Sequence, residues 1–191
     1  MASSSFYGSA SALLLFALLF NTTKEVTADI NVDPLLSTCK SIATANTYFD
    51  VEFCLSSLGS SNRSHHAKNG VELSSIALDL LAANVTSTLA KIHSLMRGNG
   101  GHYKGSNESL VYLYLCRIQY IFIQGEEAYC IAAIKDGKFN IAISHLEKST
   151  SYVKECEDGY SKGNITSPLT TEDNNAFKLV KLAAALLSSP H

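Results

Sequence analysis

From Leu81 onward the chain sets apolar side chains at Val85, Leu89, Ile92 and Met96, in steps of four, four, three and four residues. That spacing returns to one face of an α-helix at every turn. A β-strand, whose side chains alternate with a period of two, would scatter the same residues over both of its faces. The rhythm recurs through Leu113, Cys116, Tyr120 and Ile123, is interrupted by Glu127, and resumes at Cys130 and Ile134. It governs Phe139, Ala142, Leu146, Val153, Cys156 and Tyr160, with Ser149 in the gap, and then Phe177, Val180, Ala184 and Leu187. The last of these segments opens after Pro168 with Thr170-Thr171-Glu172-Asp173, which predicts an N-cap followed by acids in the first turn. Two shorter segments, 35–45 and 47–58, carry Leu35, Leu36 and Ile42, then Tyr48, Val51, Cys54, Leu55 and Leu58, at helical spacing. A polar, flexible connector, Gly59 to Asn69, follows them. The pattern predicts an all-α chain. Short links between the last three segments favour antiparallel neighbours, hence an up-and-down four-helix bundle over 70–188 behind an N-terminal hairpin over 29–60.

The first 28 of the 191 residues read as a secretory signal, with an apolar run from Ala10 to Phe20 and small residues at Val26-Thr27-Ala28 that predict cleavage after Ala28. The run is too short to span a bilayer, and no later stretch offers the roughly twenty consecutive apolar residues a membrane helix needs. The remaining 163 residues, 29–191, suffice for one domain with its own core. The formal charge is −2, evenly spread, and Lys24 and Glu25 leave together, so the mature chain keeps it. That balance argues against nucleic acid as a partner. All six His lie in the mature chain, so an acidic compartment would turn it net positive. Four N-x-S/T sequons begin at Asn62, Asn84, Asn107 and Asn164 and suit a secreted glycoprotein, which requires Asn84 to face solvent on its helix.

Five cysteines in a secreted chain give two bridges and one spare thiol. Cys116 and Cys130 sit 14 residues apart on one expected helix, roughly 21 Å along its axis, whereas bridged Cα atoms approach to about 6 Å. They cannot pair. If the chain turns back at Gly137, Cys116 lies 21 residues before the turn and Cys156 19 after it, so the two arrive level on antiparallel helices. The residue level with Cys130 is near Ser144, which leaves Cys130 as an unpaired core thiol. Cys39 and Cys54 flank the Ala45-Asn46-Thr47 bend symmetrically and should staple the hairpin, at about 3 kcal/mol of chain entropy for a loop of that size.

Constellations that carry catalysis are scarce. His65-His66 has no further ligand at metal spacing nearby and reads as a solvated loop. Glu126-Glu127 and Glu155/Glu157/Asp158 read as exposed helix acids rather than a paired glycosidase site. Nucleophile elbows, phosphate loops and dinucleotide fingerprints are absent from the sequence, so neither a cofactor nor a metal is expected.

The hairpin CKSIATANTYFDVEFCLSSL, the segments Cys116-Arg117-Ile118-Gln119-Tyr120 and Cys156-Glu157-Asp158-Gly159-Tyr160, the Ser167-Pro168 approach to the last helix and the signal together resemble the plant invertase inhibitor and pectin methylesterase inhibitor family. The likeness covers essentially the whole mature chain and is nearest to members described as invertase inhibitors, some of them pollen allergens. It implies a bundle with an α-hairpin and the two bridges reasoned above, a monomer secreted to the cell wall or vacuole, and reversible inhibition by docking rather than catalysis. The implied partner is acid invertase, with pectin methylesterase second. A third reading, a carrier of a small ligand, requires a pocket inside the bundle, against which the bulky stripe residues argue.

Invertase inhibitors of this family commonly carry Pro-Lys-Phe between the second and third bundle helices, where it enters the sucrose-binding cleft of the target. Here the tripeptide is Gly137-Lys138-Phe139: Lys138 and Phe139 match and Gly137 departs. A cation can meet the carboxylates a glycosidase keeps in its site, and an aromatic ring can pack where sugar would. Glycine in place of proline would forfeit stiffness and raise the entropy lost on docking. The plainer reading makes Gly137 a helix C-cap, Lys138 a solvated charge and Phe139 the first core residue of the next helix. Leu115, where the family often has Asp, the bulky Ile121-Phe122-Ile123, and the flexible Gly98 to Gly101 loop are further departures.

Overall fold

The computed structural model describes residues 33–98 and 105–189; the expected signal peptide and its cleavage point lie outside them. Among the described residues six α-helices follow one another: α1 (Pro34–Thr44), α2 (Val51–Gly59), α3 (Gly70–Arg97), α4 (Asn107–Lys135), α5 (Phe139–Lys162) and α6 (Thr170–Ser188). The described residues contain no strand, as the helical period predicts. Helices α1 and α2 pair as a hairpin, and α3 to α6 form a ring in which each packs against its two neighbours in chain order, α6 closing back on α3.

Side-chain caps set several of the boundaries. Asp33 accepts from the Leu35 N–H at 2.9 Å with Pro34 in the first turn, and Asn69 accepts from the Glu72 N–H at 3.0 Å. Glu72 in turn accepts from the Lys68 N–H at 2.8 Å, so donors on both sides of the α3 cap are satisfied. Three boundaries differ from the sequence reading. Helix α2 begins at Val51 rather than 47, because Asp50 caps it by accepting from the Phe53 N–H at 2.7 Å; Tyr48 is thereby left in the turn, half exposed. The Gly59–Asn69 connector is partly ordered by a single 3-10 turn, Asn62–His66, whose buried Ser64 hydroxyl donates to the Leu58 carbonyl at 2.6 Å. Thr170 is the first residue of α6 and not its side-chain cap: its hydroxyl donates to Glu157 of α5 at 2.8 Å, while Leu169 holds the cap position.

The core is continuous from hairpin to bundle. Leu81, Val85 and Ile92 of α3, Leu113, Cys116 and Ile123 of α4, Leu146 of α5 and Leu182 of α6 are almost fully buried, so the interior is filled by side chains. Helix α3 contains an 18-residue window apolar enough, at mean hydropathy 1.3, to cross a membrane by composition alone, and the face carrying that character is turned into the bundle. Cys39–Cys54 and Cys116–Cys156 are both bridged, with Cα atoms 5.6 Å and 4.6 Å apart. Cys130 is free and buried, and burial pushes its thiol up to about 12. The hairpin is fastened to α6 through aromatic contacts: Tyr48 meets Phe177 edge-on at 5.5 Å, and Lys178 lies 5.2 Å from the Phe53 ring.

A polar cluster sits where α4, α5 and α6 converge. The Tyr120 hydroxyl donates to Asp173 at 2.6 Å, and the bridged Cys156 sulfur lies 3.4 Å from the other Asp173 oxygen. Burial, reinforced by Glu157 and Glu172, pushes the Asp173 carboxyl up to about 8 despite the Tyr120 hydrogen bond. Glu157 Oε2, beside it, is also buried and has no hydrogen-bond partner among the described residues. Glu127, far from being an exposed helix acid, lies buried in the α4 stripe, and desolvation raises it to about 7.

Candidate functional site

The α4–α5 turn is held by its own backbone. The Gly137 N–H donates to the Ile134 carbonyl at 3.0 Å and the Lys138 N–H to the Ala133 carbonyl at 2.8 Å, with Gly137 at φ +69°: a Schellman ending of α4. Proline at this position would need φ near about −65° and would delete the N–H given to Ile134. Gly137 therefore does not make a looser version of a proline turn. It makes a different turn whose rigidity comes from two hydrogen bonds, and the entropy penalty expected from the sequence is correspondingly reduced.

Lys138 stands at the tip, its side chain 58% exposed, and its ammonium donates to Asp136 at 2.8 Å. That hydrogen bond holds the Asp136 carboxyl below its ordinary range, so the pair survives into mildly acidic solution. Phe139 opens α5 half-buried, packed in part against the core. The structure thus places Gly137 as a cap and Lys138 in solvent, and it gives Phe139 one covered and one open side.

A surface missed at the sequence level adjoins this turn. Along the outer face of α4, Val111, Tyr114, Ile118, Ile121, Phe122 and Tyr129 are exposed, Tyr129 by 65%. Phe122 leans on Tyr152 of α5 at 5.3 Å, and Tyr129 stacks on His145 at 5.4 Å, which itself pairs with Glu126. Helix α4 is therefore apolar on its buried and its open side, and the open side runs toward the turn. The signal was present in the spacing of 111, 114, 118, 122 and 129, a second helical stripe on the same segment.

The remaining candidates fall apart spatially. His65 and His66 are exposed on the 3-10 turn. Asn62, Asn107 and Asn164 are exposed, and Asn164 takes the left-handed position that ends α5, at φ 53°. Asn84 is only partly exposed, and its amide is engaged: its Nδ2 donates to the Glu172 carbonyl of α6 at 3.4 Å and its Oδ1 is buried, because position 84 lies on the α3 side that packs against α6.

The fold is thus a disulfide-stapled helical bundle with a backbone-held turn and an uncovered apolar face on α4. Residues 35–186 match the family described as plant invertase/pectin methylesterase inhibitor, and the chain belongs to that family of inhibitor proteins. It is 26% identical over 176 residues to a protein of Platanus acerifolia named "Putative invertase inhibitor", spanning 90% of this chain and 93% of that one. It also resembles the crystal structure of mutant form A of a pectin methylesterase inhibitor from Arabidopsis, with a TM-score of 0.64 over 80% of this chain and 94% of that one. At 18% identity the latter likeness speaks for the fold alone.

Proposed function

We propose that this chain is a secreted, monomeric, non-catalytic inhibitor that docks to acid invertase and blocks its sugar site with the α4–α5 turn. The observation that carries the reading is the turn itself: two backbone hydrogen bonds fix it, and it holds Lys138 in solvent next to the open side of Phe139. Because the turn is preorganised, little conformational freedom is lost on docking. In a glycosidase site the Lys138 ammonium would exchange Asp136 for a target carboxylate, and the ring would occupy sugar space. The name of the Platanus acerifolia relative supports invertase as the target. Cleavage after Ala28, a mature domain over 29–191, export to the cell wall or vacuole, and glycans on Asn62, Asn107 and Asn164 belong to the same reading.

A second target, pectin methylesterase, is favoured by the exposed α4 face, since an extended apolar stripe suits a broad helix-face contact better than a plug. Titrating the oxidised mature protein into an acid invertase and, separately, a pectin methylesterase at mildly acidic pH decides between them. Loss of sucrose hydrolysis that is relieved by Lys138→Ala supports the turn. Loss of demethylation alone, relieved by Tyr129→Glu and not by Lys138→Ala, replaces it with the helix face.

A further inference from the structure

Between the turn of the hairpin and the bundle lies a cleft of about 440 Å³, lined from α1 and its turn by Ser41, Ile42, Asn46 and Tyr48, and from α5 and α6 by Glu147 and Lys181 among others. Lys181 is a lysine in an unusual position. Its side chain is only 11% exposed, its ammonium lies 5.0 Å from the centre of the Tyr48 ring and 5.9 Å from that of Phe177, and it donates to both oxygens of Glu147 at 2.7 Å and 2.9 Å. Glu147 remains half exposed, so its other lone pairs face solvent. Asn46 uses its Oδ1 to accept from the Tyr48 N–H at 2.9 Å, and its Nδ2 has no partner among the described residues. Ile143 and Ala185, both partly exposed, supply apolar surface beside these groups.

Each feature narrows what could occupy the space. The volume lies within the ordinary range for small-molecule sites, ~300–1,000 Å³. Acceptors on Glu147 and a donor on Asn46 suit a ligand whose groups both give and take hydrogen bonds, as hydroxyls do. The half-exposed Tyr48 and the aliphatic surface suit the C–H face of a sugar ring. The Lys181–Glu147 pair is matched in charge, so an anion would have to compete with Glu147 for Lys181, and the pair offers a cation no net charge. A neutral polyhydroxylated ring satisfies all of these at once.

We propose that the cleft between the hairpin turn and α5–α6 is a binding site for a neutral mono- or disaccharide, seated on Tyr48 and hydrogen-bonded by Glu147, Lys181 and Asn46. Ile143, also on its wall, is one helical turn beyond Phe139, so the site opens at the same end of the bundle as the α4–α5 turn. Occupancy of the cleft does not depend on inhibition of any enzyme and is read in its absence.

The test is an amide-detected NMR titration of the oxidised protein with glucose and with sucrose, using galacturonate at matched ionic strength as the charged comparator. The expected result is saturable shifts confined to Asn46, Tyr48, Ile143, Glu147 and Lys181, with a millimolar dissociation constant for at least one neutral sugar and weaker binding of galacturonate. Glu147→Gln weakens the binding about tenfold, the loss of one charge-assisted hydrogen bond. Ser41→Trp fills the cleft from an exposed position on α1 and abolishes the shifts while the rest of the spectrum stays folded. Shifts that do not saturate, that lie elsewhere, that are strongest for galacturonate, or that persist in Ser41→Trp overturn the proposal.

Discussion

At one end of the α4–α5 hairpin the chain turns through Asp136-Gly137-Lys138, and a Cβ placed on Gly137 would meet nothing within 4 Å. Near the other end, Cys116, Tyr120, Cys156 and Asp173 are all buried, and a Cβ on Gly163 would come within 2.6 Å of the Tyr112 ring. Both α4 and α5 end in the same backbone geometry: Lys138 donates to Ala133 at 2.8 Å and Ile165 to Tyr160 at 3.0 Å, around left-handed Gly137 and Asn164. What differs is the packing laid over it. The Cys116–Cys156 end carries a cross-link, the Tyr112 ring over Gly163 and the buried Asp173. The turn end carries two hydrogen bonds and a solvated ion pair. Here the packed end and the open turn are separated by most of the length of one helix, from Cys116 to Gly137 of α4 and its turn.

The largest expected effect on this division is that of pH. Asp173 is raised in the folded chain to about 8 from 3.8, and Glu127 to about 7 from 4.5. Between those limits the folded state binds more protons than the unfolded one, so stability is greatest at acid pH and falls as pH rises, from about 4 to about 8 for Asp173. At about 1.4 kcal/mol per unit, the Asp173 shift alone amounts to several kcal/mol at most. The groups facing it are Tyr120 from α4, Glu157 from α5, Glu172 beside it and, from α3, Thr88 on Tyr120 and Lys91 on Glu172 at 2.7 Å. Calorimetry from pH 5 to 8 should show a falling Tm, and Asp173→Asn should flatten the fall while raising stability at pH 8. A variant whose profile runs parallel to that of the parent would show that another group sets the slope.

Next in size is the cross-link. Replacing Cys116 and Cys156 together by Ala should cost about 4 kcal/mol for the 40-residue loop they close, against about 3 kcal/mol for the 15-residue loop of Cys39 and Cys54. The glycines then test the contrast directly. Gly163→Ala forces the Tyr112 ring to move and should cost about 2 kcal/mol as overpacking. Gly137→Ala meets open space and bears only the left-handed penalty, about 1 kcal/mol. Gly137→Pro should destabilise more than Gly137→Ala and should not improve inhibition. Equal costs at 163 and 137 would erase the distinction between a packed end and an open one.

The helices were legible because a 3,4 spacing has one physical meaning when sustained over many residues, and the Cys116–Cys156 bridge because Gly137 punctuates the chain midway between the two. The start of α2 was not, since apolar spacing runs back to Tyr48 and only the Asp50 side chain ends the turn at Val51. Asn84 shows a similar limit: a sequon states what a glycan needs, while the face that α6 covers is decided by bundle geometry. The Tyr120–Asp173 pair joins residues 53 apart and has no local signature. The open stripe on α4 was hidden by the buried one, because a search for one apolar face stops when it has found one. At the candidate site, a lysine after a helix-ending glycine is legibly exposed. The half-burial of Phe139 depends on how α5 sits on its neighbours.

That half-burial makes the smallest expected stability effects the most informative about function. Lys138→Ala removes an exposed ion pair and should move Tm within the scatter of surface substitutions, about ±0.5 kcal/mol in stability. Phe139→Ala removes a ring that is in part core and should cost about 1 to 2 kcal/mol, less than a fully buried Phe would. If the turn is a plug, both changes should weaken inhibition by more than their stability cost explains, and Lys138→Arg should restore part of it by keeping the charge. A loss of Tm at Phe139 with inhibition intact would make the ring a packing residue and leave Lys138 as the sole functional element of the turn. Inhibition indifferent to both would move the contact onto the α4 face, where Tyr129 and Phe122 become the residues to change, and the open end of the hairpin would then be open for a different reason.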